Sequence, residues 1–435
     1  MAQNKAIVIG AGLAGCEAAY QIARRGIKVT LIEQKPNKLS AAHKSGLFAE
    51  LVCSNSLRAA GLYNAVGLLK QEMRELDSLI MRAADATSVP AGGALAVNRS
   101  LFAARVTREI IEHKNIEIKR EEALCLPEKG IVIAAPGPLV EGFFAKNIED
   151  TVGEGMLSFF DAAAPIVMGK TIDMTKAFYG SRYDKGGDDY INCPMDEAQY
   201  RAFYEALTTA VTVELHGFEK GKVFEGCMPV ETMAGRGFQT LLFGPLKPVG
   251  LRAPGADRNP YAVVQLRRED KEGRMYNLVG FQTHLKFGEQ QRVFSMIPGL
   301  EEAEFVRFGV MHRNTFIASP GLLNASYELK KRPGLFFSGQ ITGVEGYVES
   351  ASSGLLAGLF AASDILGQPR PVFSRNTACG ALADYVANYQ GADFQPMNVT
   401  FGIMNTIDSR TKGKERKREI SERALEEIQR IAQSL

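Results

Sequence analysis

The sequence predicts an α/β protein in which a Rossmann-like nucleotide-binding domain is interrupted by an α+β domain. Three observations predict it. A glycine-rich strand-to-helix junction opens the chain, and a second glycine-marked junction of the same kind stands near residue 340. Between about 150 and 310 the texture changes to short alternating apolar segments. The expected division is 1–145 for the first part of the nucleotide domain, 146–310 for the inserted substrate domain, and 311–435 for the second part with a C-terminal helix. At roughly 100–200 residues per domain, 435 residues accommodate this.

The first junction has two readings. Leu13-Ala14-Gly15-Cys16 after a short apolar stretch imitates a lipoprotein signal, but that stretch is short and broken by glycine. The competing reading has a strand, Ala6-Ile7-Val8-Ile9, then Gly10, Gly12 and Gly15 in GxGxxG spacing, an amphipathic helix ending at Gly26, and a second strand, residues 28–32, closed by Glu33. This is the dinucleotide fingerprint in full context. Gly10 permits the tight turn, Gly12 admits a pyrophosphate to the backbone, and Gly15 brings helix and sheet together. Gly10, Ala11, Gly12, Leu13, Ala14 and Gly15 are therefore expected to cradle the cofactor, with Glu33 on the adenosine ribose and Cys16 as packing inside the helix.

The fingerprint does not separate FAD from NAD. The second junction favours FAD. Residues 335–338 read as a buried strand meeting Gly339 and Gln340, followed by Gly343 and Gly346 and a helix of small residues including Gly354 and Gly358. Such a helix N-terminus can stabilise negative charge on a reduced isoalloxazine, so Gly339, Gln340 and Gly346 join the expected cofactor residues. The plainer reading of Gly354 and Gly358 is tight helix–sheet packing.

Residues 116–133 suggest two more strands. Lys222-Val223-Phe224, Tyr261 to Leu266 and Tyr276 to Phe281 suggest strands of the inserted domain. Residues 410–435 read as a basic segment and a charged amphipathic helix, either solvated or touching RNA. Lys and Arg total 51 against 49 Asp and Glu, which excludes a globally basic nucleic-acid coat but allows a local patch. No apolar run is long enough for a membrane span. The cysteines (Cys16, Cys53, Cys125, Cys193, Cys227, Cys379) show no C-x-x-C pair, and with the five dispersed histidines they argue for reduced thiols in a cytoplasmic protein without a metal site.

Longer motifs then carry a resemblance. Leu51-Val52-Cys53-Ser54-Asn55-Ser56-Leu57-Arg58, Phe224-Glu225-Gly226-Cys227-Met228-Pro229-Val230-Glu231, residues 244–251, Asn277 to Leu285, residues 311–315 and Gly339 to Tyr347 together resemble the TrmFO family over essentially the whole chain. These are GidA-related, folate- and FAD-dependent tRNA (uracil-5-)-methyltransferases. The resemblance implies an enzyme that methylates C5 of the T-loop uridine (position 54) of tRNA. Its carbon would come from 5,10-methylenetetrahydrofolate and its electrons from NAD(P)H through FAD. One departure is visible: Pro136, within Ala135-Pro136-Gly137-Pro138, stands where the family shows Thr and lacks both an N–H and a hydroxyl.

C5 of uracil is a poor nucleophile, and addition of a thiolate to C6 makes it enolate-like. Local electrostatics favours Cys53, because Ser54, Asn55 and Ser56 are N-cap types and Leu57 onward reads as a helix whose N-terminus would lower a thiol pKa. Cys227 lies between Glu225 and Glu231, yet the resemblance makes it the uracil nucleophile. The assignment taken is Cys227 attacking C6 and Cys53 assisting on the flavin side. His284 is expected to stack on the pterin and Lys286 to meet the glutamate tail. Lys247, Arg252, Arg258, Arg267, Arg268, Lys286 and Arg292 are expected to supply phosphate contacts if they share a face. The alternatives are a GidA-like wobble-uridine enzyme, a small-molecule flavin oxidoreductase, and a flavin-containing RNA-binding protein without turnover.

Overall fold

The computed structural model describes residues 5–435 apart from 154–155, 185–186, 214–227, 257, 392–393 and 409. The fingerprint folds as β1 (Lys5–Ile9), α1 (Leu13–Ala23) and β2 (Lys28–Ile32), with β1 and β2 parallel and in register from Lys5↔Lys28 to Ile9↔Ile32. There follow β3 (Ser56–Ala59), α2 (Ala65–Glu75), α3 (Leu79–Ala86), β4 (Ser88–Val89), β5 (Ala94–Val97), α4 (Arg99–Ile111), β6 (Ile116–Lys119) and β7 (Ile131–Ala134). The expected strands in 116–133 are thus present. β3, β5 and β4 make a small antiparallel sheet.

After α5 (Gly142–Val152) and β8 (Met156–Ala162) come β9 (Ile166–Met168), β10 (Phe178–Tyr179), β11 (Tyr190–Met195), α6 (Glu197–Thr208), α7 (Val230–Ala234), α8 (Thr240–Phe243), β12 (Ala262–Arg268), β13 (Met275–Leu278), α9 (Phe287–Phe294) and β14 (Phe305–Arg307). Their strands form one sheet in the order β10-β11-β12-β13-β9-β14. It has its own buried cluster, including Val264, Leu266, Leu278 and Phe281. The strand expected at 222–224 lies outside the described residues.

β15 (Met311–Ile317) pairs antiparallel with β8 and returns the chain to the first body, where β16 (Leu335–Phe337) joins β7 in parallel. The resulting order, β16-β7-β1-β2-β6, places both glycine-marked junctions at the carboxyl edge of one parallel sheet, where such folds bind their ligands. The last elements are α10 (Tyr347–Leu366), α11 (Ala378–Asn388) and α12 (Gly413–Gln433).

Glycine sets the closest packing. A Cβ on Gly15 would lie 1.8 Å from the Gly10 carbonyl oxygen, and one on Gly354 would lie 2.1 Å from that of Ala14. α10 therefore runs backbone-to-backbone against α1, so Gly354 and Gly358 serve close packing as expected, but of helix on helix rather than of helix on sheet. α12 is docked rather than free: Ile420, Ala424 and Ile428 are buried beside α2, and Ser421 Oγ donates to the Leu62 carbonyl at 2.8 Å. Each buried isoleucine contributes about 1.5–3 kcal/mol, enough to hold one face while the charged face stays in solvent. Among the described residues no helix is long and apolar enough to cross a membrane, and no cluster of ligating side chains could hold a metal ion.

Candidate active site

Two adjoining cavities lie at the carboxyl edge of the parallel sheet. The first, about 190 Å³, runs from Glu33 and the Gly10 loop past Pro136 and Gly137 to Ser338, Gly339, Gln340 and Tyr347. The second, about 300 Å³, lies between the two bodies and is lined by Cys53, Arg58, Arg267, Asn277, Asn314 and Gly346 among others. Val52, Pro138, Leu139, Gln340 and Tyr347 belong to both linings, so a single wall separates them.

The first cavity has the features of an anion and nucleotide cradle. The three fingerprint glycines differ in what surrounds them. Gly10 has φ +95° and a Cβ there would lie 2.2 Å from the Ala135 carbonyl oxygen, and Gly15 is equally closed. Gly12 has nothing within 4 Å of its Cβ direction, and it caps α1 without a side-chain bond or an acidic residue in the first turn. The positive end of α1 therefore meets open space. Glu33 is buried and accepts from the Ala11 N–H (2.6 Å) and the Lys35 N–H (2.9 Å), which fixes its carboxylate beside the loop. Ser338, on this lining, has a buried Oγ without a partner among the described residues. Pro136 lines the cavity with a carbonyl but no amide to offer.

Cys53 is held differently from the expectation. Residues 56–59 are the strand β3, not the start of a helix, so the thiol does not sit at a helix N-terminus. The would-be capping side chains are taken by other partners. Ser54 Oγ accepts from the Ser56 N–H, Ser56 Oγ accepts from the Arg58 N–H, and Asn55 donates to the Val97 and Arg268 carbonyls. Ser56 and Ala59 pair across β5, and Arg58 adopts φ +63°. The local helix signal loses to tertiary pairing.

Three arginines surround the loop instead. Arg99 donates to the Leu51 carbonyl at 2.8 Å and pairs with Glu269, Arg307 donates to the Val52 carbonyl, and Arg267 bonds Ser54 Oγ at 2.7 Å and Asn55 Oδ1 at 2.9 Å. All three interact electrostatically with the Cys53 sulfur. Tyr347 completes the clamp: its hydroxyl oxygen accepts from the N–H groups of Cys53 (2.6 Å) and Ser54 (3.2 Å). Burial pushes the Tyr347 phenol up, so it stays neutral.

The other described cysteines stand apart. Cys16, Cys193 and Cys379 are buried with their thiols pushed up by desolvation, to about 12 for Cys193, and Cys125 is exposed rather than packed. Cys227 lies outside the described residues. The chain resumes at Met228, and two residues on the Val230 N–H donates to the carbonyl of Gln282, a residue of the second cavity.

His284 and Lys286 do not belong to the linings of these two cavities. His284 Nδ1 lies 2.6 Å from Glu231 Oε1, and Glu231 also accepts from Thr283 Oγ1 and the His284 N–H. Lys286 is an exposed residue at the start of α9. Of the basic set, Arg267 is buried and committed to Ser54 and Asn55, so it leaves the expected phosphate-binding face. Arg292 is paired with Glu289 at 2.6 Å.

Beyond the expected residues, Lys70 of α2 stands behind the wall of the second cavity, outside its lining. It is buried, and its Nζ donates to the Leu57 and Ala59 carbonyls at 2.8 and 2.7 Å, on either side of Arg58. Desolvation, with Arg58 beside it, pulls its pKa from 10.5 down to about 7. A neutral amine has two N–H donors, which match the two carbonyls. With the folded pKa below the unfolded one, the unfolded chain binds more protons between about pH 7 and 10. The group's contribution to stability therefore rises with pH across that window and is lost as pH falls towards 7. In urea titrations at about pH 7 and 9.5, Lys70→Met should lack this rise, which is at most about 1.4 kcal/mol per pH unit in the wild type. An equal rise in both proteins would contradict the assignment.

Comparison with known proteins agrees with this architecture. The family described as Glucose inhibited division protein A matches residues 5–369. Two solved crystal forms of Aquifex aeolicus GidA superpose with TM-scores of 0.70 and 0.69 at 16% and 17% identity, covering 98% and 99% of this chain and 73% and 78% of theirs. They share the fold. A methylenetetrahydrofolate–tRNA-(uracil-5-)-methyltransferase TrmFO from Acetivibrio thermocellus is 61% identical over 419 residues, 96% of each chain. The chain belongs to the TrmFO family. The TrmFO of Lactobacillus delbrueckii subsp. bulgaricus, at 57% identity over 98% of this chain and 97% of its own, extends the likeness across both bodies. TrmFO membership accounts for the motifs around Cys53, Asn277 and Gly339 at once.

Proposed function

We propose that this protein methylates C5 of the T-loop uridine (position 54) of tRNA in the cytoplasm. Its carbon donor would be 5,10-methylenetetrahydrofolate, and NAD(P)H would reduce a bound FAD. The observation that carries the reading is the near-full-length likeness to TrmFO proteins together with the open Gly12 cradle and the thiol-bearing cavity that adjoins it. The partition into 1–145, 146–310 and 311–435 is part of it; separate buried clusters in the nucleotide domain and the inserted sheet support the division into two bodies, with Ile148 and Val152 at the end of α5 packing into the first.

The residues present fit FAD. Of the loop Gly10, Ala11, Gly12, Leu13, Ala14 and Gly15, the amides from Gly12 onward open the positive end of α1. The Gly10 N–H is held by the Ile32 carbonyl and the Ala11 N–H by Glu33, which is thereby fixed beside the loop. Gly339, Gln340 and Gly346 line the far end or its neighbour cavity. Bound there, FAD supplies the hydride that completes the methyl group. The chain's own groups do the rest. Cys227 attacks C6 of the uracil, Cys53, in the second cavity next to Val52 of the shared wall, assists on the flavin side, and His284, oriented by Glu231, meets the pterin with Lys286 near its glutamate tail. Chemistry at C6 requires the uridine to leave its stack.

Incubating the purified protein with unmodified tRNA transcript, NADPH and methylene-labelled tetrahydrofolate should place label in 5-methyluridine at the T loop. Flavin oxidation without label in RNA would overturn the reading in favour of a small-molecule oxidoreductase.

A further inference from the structure

The wall of the second cavity includes a polar donor that none of the described residues satisfies. Asn277 stands on β13 directly opposite Arg267 of β12, a register pair of the antiparallel sheet, and both line the cavity. Arg267 is buried and its terminal Nη2 lies 3.4 Å from Asn277 Oδ1. That contact settles the orientation of the amide, since a guanidinium has only donors and must face the oxygen. The amide nitrogen is consequently turned away from Arg267. It is buried and has no partner among the described residues, and Asn277 as a residue is only 3% exposed.

Arg267 has no freedom to give this arrangement up. Its Nε is bonded to Asn55 Oδ1 and its Nη2 to Ser54 Oγ, in the same loop that carries Cys53. The sheet register, the guanidinium and the Cys53 loop together hold an –NH2 group, turned from Arg267, in the wall of a cavity that Cys53 also lines. A buried amide donor kept without an acceptor is costly to a fold and is resolved when a ligand brings the acceptor.

We propose that Asn277 Nδ2 donates a hydrogen bond to the carbonyl oxygen of a planar lactam edge, and that Arg267 is the positioning residue that aims it. The inference rests on the family reading above, because both substrates of that reaction present such an edge: uracil at C4=O and N3–H, and the pterin ring likewise. If the ligand is uracil, thiolate addition at C6 moves the electron pair of the C5–C6 double bond through C5 onto O4. The C4=O bond becomes a C–O⁻ enolate, and Asn277 then stabilises developing charge. If the ligand is the pterin, the same bond sets folate affinity and orientation.

The test uses the full-length flavoprotein with Asn277→Asp, which keeps the shape and adds attraction to Arg267, and Asn277→Ala. Flavin absorbance and thermal melting report whether each has folded, and wild-type methyl transfer to tRNA reports on the family reading separately. In the uracil case, single-turnover methyl transfer at saturating folate falls about 10²-fold while the folate KM is unchanged. Wild-type discrimination between uridine and 4-thiouridine at the target position also disappears in Asn277→Ala. In the pterin case, the folate KM rises at least tenfold, and saturating folate restores the turnover. Either pattern supports the proposal. Both variants within threefold of wild type in all these measures would overturn it, as would a loss that merely follows loss of flavin. A wild-type protein that transfers no methyl group would sink the family reading first and this inference with it.

Discussion

Replacing Gly354 by valine should abolish the folded flavoprotein, whereas replacing Gly12 by alanine should leave the fold intact and remove the cofactor. At Gly354 a Cβ would sit 2.1 Å from the carbonyl oxygen and 2.7 Å from the Cα of Ala14, so it meets backbone that no rotamer change can move. The α1–α10 contact carries the first half of the nucleotide fold onto the second, and parting the helices would open the packing around Ala18, Ile22 and Leu355. We expect a loss on the order of 4 kcal/mol or more, comparable with the whole stability of a domain, and insoluble or molten protein on expression. Gly12 is the counter-case. Its φ of −75° suits any residue, and its Cβ direction is empty within the protein. Gly12→Ala should therefore melt within about 0.5 kcal/mol of wild type, yet a methyl group would stand where a pyrophosphate must approach the backbone. Fluorimetric titration of the apoprotein with FAD should show affinity weakened at least tenfold. Wild-type flavin affinity in Gly12→Ala would contradict the placement of the cofactor on this loop.

Alanine at either Cys53 or Cys227 should cost at least about 10³-fold in methyl transfer without unfolding the protein. For Cys53 the reason is visible. The loop is fixed through its backbone and neighbours, by Arg99 at Leu51, Arg307 at Val52, Tyr347 at Cys53 and Ser54, and Arg267 at Ser54 and Asn55. Removing the sulfur leaves those bonds in place, so what is lost is chemistry. For Cys227 the expectation rests on family membership and on the tether of Val230 to Gln282 at the edge of the second cavity. Cys227→Ala should retain tRNA binding and NAD(P)H oxidation while forming no 5-methyluridine. Methylation at the normal rate in Cys227→Ala would move the nucleophile's role to another group, with Cys53 first in line.

The sequence alone determined the nucleotide-binding half. Strand, GxGxxG, helix, strand and acid are contiguous, and their roles follow from local sterics. Gly10 and Gly15 must lack a Cβ, Gly12 benefits from lacking one, and Glu33 follows its strand directly into place. The second junction at Gly339 was equally legible because a buried strand, glycines and a small-residue helix stand together in the chain. Family motifs marked Cys53 and Asn277 without saying what they do.

Only the tertiary structure decided how Cys53 is presented. Ser54, Asn55 and Ser56 have the chemistry of helix caps, and nothing local shows that Arg267, more than two hundred residues later, takes two of them. The same distance in sequence hides the union of β16 with β7, the recruitment of Arg99 and Arg307 to the thiol's loop, and the buried state of Arg267, which composition places on a basic face. Local sterics act between neighbours in sequence, so the chain displays them. Charge burial and amide satisfaction act between neighbours in space, and here those neighbours are brought together only when the inserted sheet closes on the nucleotide domain.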